Sequence, residues 1–140
     1  MLNVKLICVG DLKESYLREA AAEYEKRLGA YCRFSTVVVK DDTKILPLPA
    51  RSYKIALCVE GKQLSSPELA SHIADVQSRG YSEIILIIGG AEGMDERIKS
   101  ECDLKLSFSK MTFPHPLMRV ILLEQLYRAL NINSNGNYHK

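Results

Sequence analysis

The stretch from Ser82 to Met94, SEIILIIGGAEGM, limits what this chain can fold into more than any other. Ile84 to Ile88 is an unbroken apolar run, β-branched everywhere except Leu86, the pattern of a strand buried on both faces in the middle of a parallel sheet. It stops at Gly89-Gly90, passes Ala91-Glu92, turns again at Gly93 and resumes as MDERIKSEC, which reads as a short helix. Strand, glycine-rich turn and helix together offer backbone N–H groups and open space to a ligand. Neither common phosphate pattern fits. No Lys-Ser/Thr follows as a P-loop requires, and the first, third and sixth places counted from Gly89 hold Gly89, Ala91 and Met94 instead of three glycines. Glu92 also puts a carboxylate at the helix N-terminus, where the helix dipole favours it and a bound phosphate would be repelled. The loop therefore suits a ligand that wants close backbone approach and carries no phosphate; the plainer alternative is a tight turn with no ligand at all.

A chain of 140 residues has the size of one domain, residues 1–140, with enough length to bury a sizeable core. Apolar residues at 46% and charged residues at 26% match a soluble globular protein. A net charge of +2 and a pI near 8.3 permit an RNA partner without arguing for one, because nucleic-acid binders show a clustered excess. No apolar run approaches the roughly 20 residues of a membrane span. MLNVKLICVG reads as a strand, not a signal peptide, so a cytoplasmic protein with no membrane partner is expected. Cys8, Cys32, Cys58 and Cys102 lack C-x-x-C spacing, which points to reduced thiols and no metal.

Taken in order, Asn3 to Val9 reads as a first strand closed by Gly10-Asp11, with Asp11 placed to cap the helix that follows. Leu17, Ala20, Ala21, Tyr24 and Leu28 recur at helical spacing from Ser15 to Leu28, and Gly29 stops that helix. Arg33 to Val39 is a β-branched second strand, residues 40 to 52 are a connection with two prolines, and Tyr53 to Val59 is a third strand. Ser65-Ser66-Pro67-Glu68 is a helix start, and the helix runs to about Arg79. After the central strand and loop come a short helix from Asp95 to Cys102 and a fifth strand from Asp103 to Ser109. Phe113-Pro114-His115-Pro116 interrupts, and Leu117 to about Ile132 forms the last helix before a polar tail. Strands alternating with helices predict an α/β domain with a parallel sheet covered on both faces. Ligands in such sheets sit beyond the carboxyl ends of the strands, which gathers Leu57–Gly61, Gly89–Gly93 and Phe108–Phe113 in one place. The last helix is apolar almost all round, and in so small a chain a second buried side suggests a two-fold partner subunit.

LIIGGAEGM, TFPHPLMRVILLEQLYRA and the closing NYHK, taken together, resemble the RlmH-type (YbeA-like) members of the SPOUT methyltransferase superfamily over essentially the whole chain. The resemblance implies an α/β parallel-sheet domain whose C-terminal part is threaded into a trefoil knot, with S-adenosyl-L-methionine as cofactor and no metal. Cofactor positions carried over from the family fall on Leu57, Gly89, Phe108, Ser109, Lys110, Met111, Thr112 and Phe113. The implied substrate is N3 of a pseudouridine in 23S rRNA of the assembled ribosome. The implied enzyme is a homodimer in which the tail of one subunit helps to build the site of the other. In one respect the chain departs from the family: relatives carry a longer segment, including a helix, where residues 40 to 52 stand here. That departure bears on how one sheet face is covered and leaves the cofactor pocket untouched.

Methyl transfer from a sulfonium to an imide nitrogen mainly requires alignment of the reactants and a way for the imide proton to leave. His139 with Tyr138 is the first candidate pair for that proton, since histidine titrates near neutrality. His115, between two prolines, is expected to bind or orient. Arg128, with Lys140 and Lys110, is a candidate for holding the anionic base or an RNA phosphate. Glu124 precedes Arg128 by four residues, a pair worth only about 0.2–0.5 kcal/mol if it is exposed, whereas a buried Arg128 near the ligand would be functional. Two other readings stand beside this one. A non-catalytic ribosome-binding module that keeps the pocket would not bind the cofactor; a flavodoxin-like carrier would need a Ser/Thr-rich loop where Gly10 to Glu14 supplies an acid.

Overall fold

A computed structural model describes residues 1–140. In chain order its elements are β1 (Asn3–Val9), α1 (Ser15–Leu28), β2 (Arg33–Val39), a 3-10 turn (Asp42–Lys44), β3 (Tyr53–Gln63), α2 (Ser66–Ser78), β4 (Glu83–Ile88), α3 (Glu96–Ser100), β5 (Leu104–Ser107) and α4 (His115–Asn133). The five strands are all parallel and lie in the order β2-β1-β4-β3-β5. β4, the unbroken apolar run, is central as its composition requires. Ile84, Leu86 and Ile88 join the core on one face, and Ile85 and Ile87 the core on the other, as the two-residue period of a strand dictates.

The first face carries α1, α2 and α4. Leu17, Leu28, Ile73 and Val76 pack there with Leu122, Leu123, Leu126 and Ala129 over Val4, Leu6, Ile55 and Leu57. Complete burial of Leu122 and Leu123 contributes about 1.5–3 kcal/mol each, an upper range for area removed from water. α4 has α1 and α2 against its two flanks, so neighbours within the chain already account for much of its all-round apolarity. Leu117 remains 41% exposed, and Val120 and Ile121 are half-buried.

The second face is covered by α3 and by the short 40–52 connection. Ile45, Met94 and Ile98 are buried against Ile7, Ala56, Ile85 and Ile87, with Leu46 and Leu48 packed beside them. Lys54 donates from Nζ to the carbonyls of Pro49 and Ser52 at 3.0 and 2.7 Å, which holds the end of the connection to β3. A dozen residues thus cover what a longer segment with its own helix was expected to cover.

Several boundaries differ from those read in the sequence. Asp11 does not cap α1; Glu14 stands at the cap without a side-chain bond, because Asp11 lies four residues before Ser15, outside reach of the first-turn N–H groups. The predicted cap on α2 is present: Ser65 accepts from Glu68 N and the Glu68 carboxylate accepts from Ser65 N. β5 is shorter than expected, and α4 starts two residues earlier, with His115-Pro116 in its first turn, where a proline's missing N–H costs nothing. β3 runs four residues further than Val59, and its pairing with β5 shifts register between Leu57 and Lys62. All four cysteines are free, and burial pushes the Cys32 and Cys102 thiols up to about 11.

Behind β3, the Tyr53 hydroxyl lies 2.7 Å from His72 Nε2 of α2. Burial lowers the His72 pKa against a weaker opposing pull from Asp75, so the ring is held neutral and Nε2 accepts from the hydroxyl. A histidine depressed in the folded state contributes stability that is complete above its unfolded pKa and is lost as pH falls through the folded value. Melting temperature followed between about pH 7 and pH 5 should therefore fall less for His72→Gln than for wild type.

Candidate functional site

At the carboxyl ends of β3, β4 and β5 a cavity of about 310 Å³ opens, within the roughly 300–1,000 Å³ of small-molecule sites. Each wall comes from a feature of the chain path. After Leu57, β3 leaves the sheet, and Cys58, Val59 and Glu60 arch over the cavity before Lys62 rejoins β5. Leu106 pairs with both Leu57 and Lys62, so the arch returns to the place it left. Gly61 makes that return possible: a Cβ there would stand 2.7 Å from the backbone of Lys105 and Leu106. The second wall is the loop after β4. The Gly93 φ of +94° belongs to glycine's region, and its N–H donates to the Gly90 carbonyl at 3.0 Å. Phe108, Ser109 and Met111–Phe113 form the third wall, and His115 and Met118 of α4 line the site beside it.

Gly89 serves the loop itself as well as the cavity. A Cβ on it would lie 3.0 Å from Met94 Cα and Cβ, so Met94 folds back against the bare residue and the main chain of Gly89 is what the cavity meets. The His115 Nδ1 lies 2.5 Å from the Gly89 carbonyl oxygen. A carbonyl only accepts, so Nδ1 carries the hydrogen and the neutral ring keeps a free lone pair on Nε2.

The lining is largely apolar and main chain, with Glu60, Glu92 and Lys99 as its charges. Lys99 is paired to Glu60 and lies 3.4 Å from Glu96. The Lys99 hydrogen bond holds the Glu60 carboxyl below its ordinary range, so it is ionised at neutral pH. Carboxylates, apolar side chains and polar main chain fit a nucleoside carrying a sulfonium, and the one lysine of the lining is already paired to Glu60, so the residues present suit S-adenosyl-L-methionine. No three His, Cys, Asp or Glu side chains stand together as a metal-holding group.

A second cluster forms where the tail folds back on α4. Arg128 donates to Glu124 through Nη2 at 2.6 Å and Nε at 3.1 Å, and its guanidinium carbon sits 4.7 Å from the centre of the Tyr138 ring. The Tyr138 hydroxyl donates to Glu124 at 2.8 Å; burial first, then this bond, pushes its pKa up to about 12, so it stays a neutral donor. Arg128 Nη1 lies 3.0 Å from His139 Nδ1. A guanidinium only donates, so Nδ1 accepts and the neutral His139 carries its hydrogen on Nε2. As bonded here His139 accepts from Arg128 and has only its Nε2–H left to donate, so the base expected from the sequence would require Arg128 to release Nδ1.

Asn131 holds this arrangement. Buried on α4, its Oδ1 accepts from Tyr138 N at 3.2 Å, its Nδ2 donates to the Tyr31 hydroxyl at 2.9 Å, and its carbonyl accepts from Gly136 N at 2.9 Å. Tyr127 stacks edge-on against Tyr138 with ring centres 4.8 Å apart.

Of the residues singled out in the sequence, Leu57, Gly89, Phe108, Ser109, Met111, Thr112, Phe113 and His115 meet in the cavity. Lys110 does not; it is exposed on the outer side of the same segment. Arg128, Tyr138 and His139 come together as well, but none of them lines the cavity of its own chain. Glu60, Lys99, Asn131 and Tyr31 were not foreseen. Glu60 had a signal in its place beside Gly61 at the end of β3, whereas Asn131 and Tyr31 are 100 residues apart and had none. Arg119, next to His115 across a small cleft at the end of β1, has Nε and Nη1 buried with no acceptor in the chain.

The family model described as "Predicted SPOUT methyltransferase" matches residues 2–139. The chain is 48% identical to a "Ribosomal RNA large subunit methyltransferase H" of Bifidobacterium adolescentis, in an alignment that takes in 99% of this chain and 100% of that protein. It is 45% identical, with the same coverage, to the protein of that name from Clostridium novyi. Both alignments run over 159 positions against 140 residues here, so these relatives carry additional residues. Among solved structures it resembles a "probable methylase family protein" from Haemophilus influenzae Rd KW20 (TM-score 0.62, 12% identity, 99% of this chain and 71% of that one). It also resembles a tRNA (m1G37) methyltransferase from Aquifex aeolicus (TM-score 0.54, 13% identity, 90% and 69%). At such identities the structural likeness concerns the fold.

A methyl group at Gly136 would overlap the Asn131 amide, which is held by two hydrogen bonds and cannot turn without leaving a buried polar group unpaired, a cost of about 1–3 kcal/mol. Gly136→Ala should therefore speed amide exchange at Tyr138 and His139, while exchange at Ile87 and Ile88 beside the cavity stays at the wild-type rate.

Proposed function

The chain belongs to the SPOUT methyltransferase family, and we propose that it transfers a methyl group from S-adenosyl-L-methionine to N3 of a pseudouridine in 23S rRNA of the assembled ribosome. Action on large-subunit rRNA is supported by relatives 40–48% identical over their whole length that bear that activity in their names. The choice of atom and base is supported by the resemblance of the Pro-His-Pro and terminal Tyr-His motifs. We read the path from β4 across β3 to β5, and on to α4, as the trefoil threading of that family.

One observation carries the mechanism: the groups suited to hold an anionic base sit together on α4 and the tail, apart from the cavity suited to the methyl donor. A homodimer that apposes the tail of one subunit to the cavity of the other completes the site, and the half-buried Leu117, Val120 and Ile121 give α4 an apolar face for that contact. When bound, the cofactor supplies an electrophilic methyl on a sulfonium. Gly89, Leu57 and the Phe108–Phe113 segment would hold it by main chain and apolar contact, and Glu60 and Glu92 favour its positive charge. His115 ties the start of α4 to the loop through Gly89. Arg128 and the Nε2–H of His139 donate to the imide oxygens as N3 gives up its proton to solvent water and negative charge develops on the base, the stabilisation expected of fixed donors. Tyr138 offers an aromatic edge for the base and, through Glu124, fixes Arg128. Lys110 and Lys140 are free to meet RNA phosphate. No helix is long and apolar enough to cross a membrane, and the proposed ribosomal substrate supports a cytoplasmic enzyme.

Mass spectrometry of the rRNA stem-loop isolated with and without this protein should differ by one methyl group on one pseudouridine. His139→Ala should leave cofactor affinity intact and slow methylation about 10²-fold, the usual effect of removing one such donor. His139→Gln, whose amide can still donate, should recover part of the rate; equal loss in both variants would instead make His139 the proton acceptor. Sedimentation that returned a monomer would remove the composite site.

A further inference from the structure

The 40–52 connection does more than cover a sheet face. Its Asp42 carboxylate reaches the loop after β4 from about fifty residues away in sequence: Oδ2 accepts from the Asp95 N–H at 2.9 Å and Oδ1 from the Gly90 N–H at 3.4 Å. These two amides are the entry and the exit of the turn that carries Ala91, Glu92 and Gly93 into the cavity wall. One side chain therefore bridges both ends of the turn with charge-assisted bonds. Asp42 is itself held in place. It opens the 3-10 turn Asp42–Lys44, which Asp41 caps by accepting from Thr43 N at 2.9 Å, and three residues on, Ile45 is buried with Met94 and Ile98. Across the turn, the Gly90–Gly93 bridge leaves the intervening residues no secondary structure of their own.

We propose that Asp42 is a positioning residue for the methyl-donor site, which it serves by holding the Gly90–Asp95 turn in the binding form before the cofactor arrives. The inference rests on the reading that the cavity takes S-adenosyl-L-methionine. Without the carboxylate that bridges its ends, this six-residue turn with two glycines would have to be ordered in part by its ligand, and affinity would fall by the fraction of time it spends in the right form. The short connection thus bears on the cofactor pocket, against the expectation that it leaves the pocket untouched.

The test uses the full-length protein with Asp42→Ala and Asp42→Asn. Amide exchange at Gly90 and Asp95 in the cofactor-free protein should accelerate in Asp42→Ala, and calorimetry with S-adenosyl-L-methionine should show affinity falling about tenfold or more. The rate at saturating cofactor should stay within about twofold of wild type, because the reacting groups are untouched. Asp42→Asn keeps one acceptor and should fall between; a loss equal to that of alanine and abolished by salt would mean that Asp42 acts by charge alone and would overturn the proposal. Wild-type affinity in Asp42→Ala, or lost affinity without faster exchange at those two amides, would overturn it as well. Failure of wild type to bind the cofactor would instead refute the reading of the cavity, and the exchange measurement, which needs no ligand, would still report whether Asp42 clamps the turn.

Discussion

Main chain lying directly on main chain is the constraint from which the rest of this structure follows. At Gly61 the arch from β3 comes down on the backbone of β5, and at Gly89 the loop after β4 folds Met94 back on itself. Neither approach leaves room for a Cβ. Between them they turn the ends of three strands into a pocket walled by peptide groups, with few side-chain charges. A ligand site of this kind gains its selectivity from shape and from what it lacks: there is no lysine or helix N-terminus free to hold a phosphate, since Lys99 is already paired and Asp95, not the Glu92 expected from the sequence, caps α3.

The polar chemistry lies elsewhere in the chain and obeys a different rule. Glu124, Arg128, Tyr138 and His139 are each satisfied by another member of the group, so a tail rich in polar residues is ordered against α4. Such a network is worth more than the exposed helical pair that Glu124 and Arg128 would make alone, because both side chains are only 17% and 24% exposed and Tyr138 roofs the guanidinium. A peptide-lined pocket and a polar tail cluster thus stand apart on the same chain. The first is walled by apolar side chains and peptide groups, the second by paired charges, and neither compromises the other's environment.

Much of this was readable residue by residue. The Ile84–Ile88 run announces a central parallel strand, Ser65 and Glu68 announce a capped helix, and the three strand ends named in advance do line one cavity. What escaped was of two kinds. The α4 helix is apolar all round chiefly because α1 and α2 flank it, a fact of layer arrangement that a helical wheel cannot reveal. Tautomers escaped too: His139 is a candidate base through the family resemblance and histidine's titration range, and the sequence carries no sign that the group meeting its Nδ1 is a guanidinium, which only donates.

Local pattern settled the elements and their order, because hydrophobic period, capping residues and glycine breaks act over a few residues and leave their mark in the string. Long-range contact settled the site. That Asp42 meets Gly90 and Asp95, that Asn131 meets Tyr31, and that Gly61 lies on Leu106 depend on how the connections cross the sheet. A carboxylate or an amide carries no record in sequence of which distant N–H it will find; only the folded path of the backbone brings the two together.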